Sequence, residues 1–154
     1  MQDTYRNYDL NKFNPAFKLM EKKGYYVVRM GKHSNIKLNV KSNKIIDYVN
    51  SKYRSDFMDI YLIKNCKFMI STNTGVDFVA YQFKKKIGYL KLCVGFMNLL
   101  RDNIYLPSNF IFKKKRKKLS LKEIFKFNIS TNLDKSNFDE KNIVIEITLI
   151  NGVK

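Results

Sequence analysis

A cluster of hydroxyl and amide side chains is the first part of the sequence whose residue types suggest chemistry. Ser71, Thr72, Asn73 and Thr74 stand between two short apolar runs, and Gly75 follows them. Hydroxyl and amide groups donate hydrogen bonds to phosphate oxygens, and glycine lets a backbone approach a ligand closely. The same residue types are common N-caps, so the pattern is also consistent with a turn that only starts a helix.

Few other side chains in the sequence suit nucleophilic or metal chemistry. His33 is the single histidine and lies in a polar stretch, where we interpret it as a loop residue, with a ligand or general base as the alternative. Cys66 and Cys93 lack CxxC spacing, so we expect idle or buried thiols, with neither a zinc site nor a disulfide. The sequence motifs of P-loop nucleoside triphosphatases, dinucleotide-binding dehydrogenases, α/β-hydrolases and zinc proteases do not occur. An enzyme that positions a phosphate leaving group, without a metal or a covalent nucleophile, is consistent with these residues.

The chain is strongly basic, with a formal net charge of +17 over 154 residues. A field of this sign attracts partners that carry phosphate, whether a nucleotide, a nucleic acid or an anionic membrane, and it does not choose among them. The densest part is Lys113–Lys118, six cations in succession, which is either a solvated loop or a patch for a nucleic acid or a membrane. The hydrophobic fraction of 45% is sufficient for the core of one ordinary domain.

The elements that must position the hydroxyl cluster are predicted from the spacing of apolar residues. A stripe with spacings of three and four predicts a helix over Asn11–Lys23, which Gly24 stops, and aromatic and β-branched residues predict a strand over Tyr25–Met30. Ile45–Val49 is either a second strand or an apolar turn. We then predict a mostly buried helix with Ser55 or Asp56 as its N-cap, a strand, a turn, a helix and a strand: Ser55–Asn65, Lys67–Ser71, Thr72–Gly75, Val76–Phe83 and Ile87–Leu92.

Beyond Leu92 the periodicity is weaker. Gly95–Leu106 is typical of a loop and Phe110–Phe112 of an extended segment, whereas Ser120 and Glu123 have the spacing of a capping box and predict a short helix. Residues 128–142 are polar, and Ile143–Ile150 is a final strand or helix.

The alternation of strands and helices predicts an α/β fold with a parallel sheet. Ligands of such sheets bind at the carboxyl ends of the strands, where the Ser71–Gly75 cluster is expected to lie. The sequence therefore predicts a phosphate site at this edge, with a plain helix start as the alternative.

Six segments of the sequence carry a resemblance to a known family: Tyr5–Asn7, Pro15–Leu19, Lys23–Gly31, Ile46–Tyr48, Ser51–Leu62 and Lys67–Gly75. Together they resemble a family of bacterial glycosyltransferases associated with surface-polysaccharide synthesis. The carboxyl half of that family resembles the nucleotide-sugar domain of two-domain GT-B enzymes. The resemblance extends from about Tyr5 to Ile124, and its most specific part is Gly24–Gly75.

This resemblance implies a Rossmann-like parallel sheet with helices on both faces over residues 1–127, followed by a polar tail over 128–154. It implies a donor site of the fucosyltransferase type, without a metal or another cofactor, that binds a nucleotide-diphosphate sugar for transfer to a glycan acceptor. In such a site Asp59 faces the nucleoside or orients a neighbouring group, and Arg29 neutralises diphosphate charge. The Ser71–Gly75 turn lines the same site, with phosphate oxygens bound by Thr72, Asn73 and Thr74.

The chain also departs from the family pattern. Ala80 and Lys86 stand where prolines are usual, and Lys91 stands where an asparagine is usual. Relatives carry a preceding domain and a strand containing histidine and arginine, so we expect a carboxyl-terminal half that lacks an amino-terminal domain or takes it from a partner chain.

Three expectations concern location and alternatives. We expect a cytoplasmic protein with a peripheral anionic membrane contact through Lys113–Lys118. A nucleic-acid-binding module using Tyr25, Tyr26 and Tyr53 is an alternative that we favour less, because these tyrosines lie in apolar segments and are expected in the core. A non-catalytic truncated remnant is the third alternative.

Overall fold

The computed structural model describes residues 10–32, 36–72, 74–92, 102–129 and 135–146. These residues form two compact units, one that ends at Asn65 and one that begins at Cys66. The first unit contains a 3-10 helix (Leu10–Phe13), helix α1 (Asn14–Lys22), strands β1 (Val27–Val28) and β2 (Ile45–Ile46), a second 3-10 helix (Tyr48–Asn50) and helix α2 (Asp56–Asn65). The second unit contains strand β3 (Met69–Ser71), helix α3 (Asp77–Gln82) and strands β4 (Ile87–Leu92), β5 (Ile104–Pro107), β6 (Asn109–Phe112) and β7 (Lys117–Lys118). It ends with helices α4 (Leu121–Lys126) and α5 (Lys135–Glu140) and strand β8 (Ile143–Glu146).

The predicted end of helix α1 is confirmed. Gly24 has a φ of 88°, in the left-handed region that glycine adopts without a Cβ penalty. Its N–H donates to Glu21 O at 2.8 Å, and the N–H of Tyr25 donates to Met20 O at 3.0 Å. These two bonds form a Schellman motif, which satisfies carbonyls at the end of the helix.

The strands of the first unit are shorter than predicted. The strand expected over Tyr25–Met30 is limited to Val27–Val28, which pairs in parallel with Ile45–Ile46. The ambiguous segment Ile45–Val49 contains both alternatives, because strand β2 is followed directly by the 3-10 helix Tyr48–Asn50.

Helix α2 begins as predicted but is not buried as predicted. The N–H of Met58 donates to Ser55 Oγ at 3.2 Å, so Ser55 caps the helix. The prediction of a mostly buried helix is wrong, because of its ten residues only Ile63 is buried, whereas Phe57 is 76% exposed and Tyr61 is 51% exposed. The apolar residues point in all directions around the helix instead of forming one stripe, so most of them cannot face a core together.

A three-stranded parallel sheet, in the order β3-β4-β5, forms one part of the second unit. Ser71 is paired with Tyr89, and Tyr89 with Tyr105, so these three residues form one row across the sheet. The parallel pairing predicted for β3 and β4 is confirmed. The predicted loop Gly95–Leu106 is wrong at its end, because Ile104–Leu106, which are good strand formers, belong to β5.

The second unit also contains an antiparallel sheet in the order β7-β6-β8. Only Ser108 separates β5 from β6, so one extended segment, 104–112, contributes to both sheets. The hydrophobic cluster beside the antiparallel sheet consists of Phe110, Leu119, Ile124, Ile129, Phe138 and Ile143.

This cluster differs from the expected division into residues 1–127 and a polar tail over 128–154. Ile129, Phe138 and Ile143 are buried together with Phe110 and Ile124, so residues on both sides of position 127 share one core. Residues 128–154 are polar on average, so their composition does not reveal that a few apolar side chains pack into this core. The described chain divides after Asn65 instead.

The parts described by the structure are therefore a mixed α/β fold in which two of the three sheets are parallel. The predicted α/β class with parallel strand pairing is confirmed, whereas the parallel strands form two small sheets, because β1 and β2 pair apart from β3, β4 and β5. None of the helices in the described ranges has the length and the apolar character needed to cross a membrane.

Candidate functional site

The hydroxyl cluster lies where the sequence places it, at the carboxyl end of a parallel strand. Ser71 is the last residue of β3, and Asp77 is the first residue of α3, which leads to the neighbouring strand β4. Thr72, Thr74 and Gly75 form the connection, and Asn73 lies outside the described residues.

A carboxylate of the chain itself occupies part of this cluster. Ser71 Oγ donates a hydrogen bond to Asp77 Oδ1 at 2.5 Å. Thr74 donates twice, from its N–H to Asp77 Oδ2 at 2.9 Å and from Oγ1 to Asp77 Oδ1 at 3.3 Å. Ser71, which was predicted to line the site, and Thr74, which was predicted to bind phosphate, therefore hold Asp77 and fix the shape of the turn.

The electrostatics of this network follow from its burial. Asp77 is 5% exposed, and burial raises the pKa of its carboxyl group, while the hydrogen bonds from Ser71 and Thr74 act in the opposite direction. Burial, the nearby Asp77 carboxylate and Tyr105 together raise the pKa of Tyr89 to about 12. Asp77 therefore lies in a poorly solvated region next to Tyr89, the middle residue of the row formed by Ser71, Tyr89 and Tyr105.

Other donors at this edge remain available to a ligand. The hydrogen bonds of the turn leave the Thr72 hydroxyl and the N–H groups of Gly75 and Val76 without partners within the described ranges. Thr72 is half-buried and Gly75 is exposed. The turn therefore keeps one hydroxyl and two backbone donors beyond the Asp77 network.

Ser108 adds a hydroxyl to the same edge of the sheet. It follows β5 immediately, so it lies at the carboxyl end of that strand, as the Thr72 turn lies at the carboxyl end of β3. Ser108 is 6% exposed, and its Oγ has no hydrogen-bond partner in the described part of the chain. Strands β3 and β5 are separated by β4 alone, so they lie about 10 Å apart across the sheet, and β5 extends two residues beyond the level of Ser71. We define the carboxyl rim as Thr72, Thr74, Gly75, Val76 and Ser108.

Arg29 and Asp59, the other two predicted ligand residues, belong to the first unit and are engaged in local ion pairs. Arg29 Nη1 donates to Ile36 O at 2.5 Å and to Asp47 Oδ1 at 3.2 Å, and the Arg29 side chain is buried. Asp59 Oδ2 accepts from Arg54 Nη2 at 3.2 Å, while its Oδ1 is buried without a partner in the described chain. In each case a neighbouring side chain already compensates the charge.

The remaining reactive side chains have no described catalytic neighbours. His33 and Cys93 lie outside the described residues. Cys66 is a half-buried free thiol whose pKa burial raises, with Lys85 acting in the opposite direction. Among the residues that the structure describes, His, Cys, Asp and Glu side chains form no group of three that could hold a metal ion.

Sequence reasoning missed Asp77 and Ser108. A signal for Asp77 was present, because Thr74 and Asp77 have the three-residue spacing of a capping box, with aspartate in place of the usual glutamate or glutamine. No signal in the sequence distinguishes Ser108, whose place depends on the pairing of β5 with β4.

Comparison of the chain with protein-family models, with curated proteins and with solved structures found no match.

Proposed function

We propose that the chain is the nucleotide-sugar-binding half of a glycosyltransferase, with the diphosphate of the donor bound at the carboxyl rim of the β3-β4-β5 sheet. The supporting observation is that the Thr72 turn and Ser108 follow parallel strands at the same edge, which is where open parallel sheets bind ligands. The buried Ser108 hydroxyl, which has no described partner, supports a polar ligand at this place.

Within this proposal the residues of the turn have different tasks. Thr72 and the N–H groups of Gly75 and Val76 donate to phosphate oxygens, as does Asn73. Ser71 and Thr74 instead hold Asp77, which keeps the turn in one conformation. Donors held in place before the reaction stabilise the charge that develops on a departing diphosphate, and this requires neither a covalent nucleophile nor a metal.

The rest of the proposed fold and partners follows the resemblance. The second unit is the Rossmann-like part of a GT-B carboxyl half, and an amino-terminal domain or a partner chain supplies acceptor binding. The acceptor is a surface glycan. Arg29 is not assigned to the diphosphate, because Asp47 already neutralises its charge.

Isothermal calorimetry and thermal unfolding with GDP, UDP and CDP test this function. We expect one of these nucleotides to bind and to raise the unfolding temperature. Thr72→Val keeps the side-chain shape and removes a hydrogen bond to a charged group, so binding should weaken about tenfold or more. Ser136→Ala on the exposed surface of α5 is the matched control and should leave binding unchanged.

Ser108→Ala separates ligand binding from folding. Removing a buried hydroxyl without a described partner should leave the free protein as stable as before or slightly more stable. The same change should weaken nucleotide binding about tenfold if Ser108 donates to the diphosphate. Absence of binding by all three nucleotides, or unchanged binding by both variants, would contradict the proposed site.

A second candidate function is binding of single-stranded nucleic acid, and one observation favours it. Tyr26 and Tyr53, which we expected in the core, are 67% and 68% exposed, so that expectation is wrong. Lys44 Nζ lies 5.9 Å from the Tyr26 ring centroid, and Lys52 Nζ lies 5.2 Å from the Tyr53 ring centroid. Exposed rings beside cations are suited to base stacking next to a phosphate backbone.

Titration with a single-stranded oligonucleotide at two salt concentrations tests this candidate. We expect binding that weakens as salt rises, and a loss of about 1 to 3 kcal/mol on Tyr53→Ala. Tyr25→Ala is the comparison within the same residue type, because Tyr25 is half-buried. Equal effects of the two substitutions would argue against stacking on the exposed ring.

A further inference from the structure

We infer that the segment Lys113–Phe125 is a surface that binds the anionic face of a lipid bilayer. The cations are presented by a β-hairpin, in which β6 and β7 pair in antiparallel register and residues 113–116 form the turn. Arg116 has a φ of 47°, a left-handed conformation at the end of that turn. We call Lys113–Lys118 the basic hairpin.

The basic hairpin keeps a large uncompensated charge. Lys113 Nζ lies 3.3 Å from Asp139 Oδ1, and Lys117 Nζ lies 3.1 Å from Glu123 Oε1. These two ion pairs attach the base of the hairpin to α5 and α4. The other four cations are exposed and have no ion pair with a described residue: Lys114, Lys115, Arg116 and Lys118.

Two exposed apolar side chains follow the hairpin on helix α4. Leu121 is 61% exposed and Phe125 is 55% exposed, and a spacing of four places them one helical turn apart on the same side. The helix itself is firmly held, because Ile124 is buried in the core and Ser120 and Glu123 form a capping box. Leu121 and Phe125, which we call the apolar pair, are therefore presented to solvent by an ordered element.

The combination of cations and exposed apolar side chains favours a lipid surface over a nucleic acid. Lysines near an anionic leaflet are attracted to its headgroups, while leucine and phenylalanine gain by entering the boundary of the acyl chains. A phosphodiester backbone satisfies the cations but offers nothing to Leu121, which has no ring on which a base could stack. The bilayer is the partner that matches both features.

Vesicle sedimentation tests this inference with the intact chain. The probes are vesicles of phosphatidylcholine alone and vesicles that also contain phosphatidylglycerol. We expect binding to the anionic vesicles at about 0.15 M salt, much weaker binding to the neutral ones, and loss of binding as salt rises. Equal binding to both kinds of vesicle would overturn the inference.

Two double variants examine the two features separately. Lys114→Gln with Lys115→Gln should weaken binding about 25-fold, since each lysine near an anionic surface contributes about a fivefold factor. Leu121→Ser with Phe125→Ser should weaken it about thirtyfold while leaving the charge unchanged. Lys22→Gln with Lys23→Gln is the control with the same charge change and should alter binding less than the hairpin variant does.

Thermal unfolding of each variant shows whether its fold is retained, and all six substituted positions are exposed. If folded Leu121→Ser with Phe125→Ser binds anionic vesicles as tightly as the unchanged chain, the apolar pair has no part and the inference fails. Tighter binding to a single-stranded RNA than to anionic vesicles, again without dependence on Leu121, would assign the surface to nucleic acid and also overturn it.

Discussion

Substitution of Asp77 gives the sharpest test of the network at the carboxyl rim. In Asp77→Ala the Ser71 hydroxyl and the Thr74 N–H each lose their hydrogen bond to the carboxylate, while the exposed Thr74 side chain can turn to water. A hydrogen bond to a charged group contributes about 1.5 to 3 kcal/mol, and relief from burying a carboxylate returns part of the loss. We therefore expect a net loss of about 2 to 4 kcal/mol in the free energy of unfolding of the second unit.

Asp77→Asn should be far milder for a geometric reason. If the amide oxygen takes the place of Oδ2, it accepts from the Thr74 N–H, and its NH₂ group takes the place of Oδ1. The hydroxyls of Ser71 and Thr74 can rotate and accept from that NH₂ group, because a hydroxyl both donates and accepts. The expected loss is about 1 kcal/mol or less.

Hydrogen exchange of backbone amides in β3 and β4 measures these losses locally. A local probe is needed because two compact units can unfold in separate steps. The substituted proteins also differ in their response to pH. Asp77 has a raised pKa in the folded state, so its stabilising contribution is greatest in acid and is lost as pH rises through that pKa. The stability of the unchanged chain relative to Asp77→Asn should therefore fall as pH rises.

Two results would refute this reasoning. If Asp77→Ala and Asp77→Asn lower the stability equally, the hydrogen bonds of the side chain are not the source of the effect. If Asp77→Ala changes the exchange in β3 and β4 by less than about 0.5 kcal/mol, the carboxylate does not hold the turn.

Three further predictions concern separate elements. Ser120→Ala should destabilise the start of α4 by about 1 kcal/mol. Because the Ser120 N–H and hydroxyl lower the pKa of Glu123 to about 2, the stabilisation from Glu123 is present above its ordinary pKa and is lost as pH falls toward 2. Acid titration by NMR measures the stability loss and the Glu123 pKa. Gly24→Ala should cost about 1 kcal/mol in urea unfolding through its positive φ alone, because an added Cβ meets nothing within 4 Å; Lys23→Ala, at a residue without positive φ, is the control. Ile63→Ala should cost about 2 to 5 kcal/mol in thermal unfolding, whereas Phe57→Ala, at an exposed position on the same helix, should cost much less; similar losses for the two would contradict the exposure of α2.

Local features of the fold were predictable where a single residue type decides the conformation. Gly24 ends α1 through its left-handed backbone, and Ser55 and Ser120 begin helices through their side-chain oxygens. The parallel pairing of β3 with β4 followed from the helix between them. These features depend on contacts over a few residues or on a short crossover.

Features that depend on distant contacts were not predictable from the pattern. The exposure of Phe57 and Tyr61 is decided by which neighbours pack against α2, and the burial of Ile129 and Phe138 by a core that forms around Phe110. At the candidate site the hydroxyl turn was located correctly. Its acceptor Asp77 was overlooked because a carboxylate inside a proposed anion site runs against the expected charge.

The extended segment 104–112 has a mechanical consequence. Since Ile104–Pro107 is hydrogen-bonded into the parallel sheet and Asn109–Phe112 into the antiparallel one, a shift along this segment cannot move one sheet and leave the other at rest. Ser108 connects the two strands, and the turn that carries Lys114 and Arg116 follows directly after Phe112. A displacement at either end of segment 104–112 is therefore transmitted to both sheets through the backbone, without a chain of side-chain contacts.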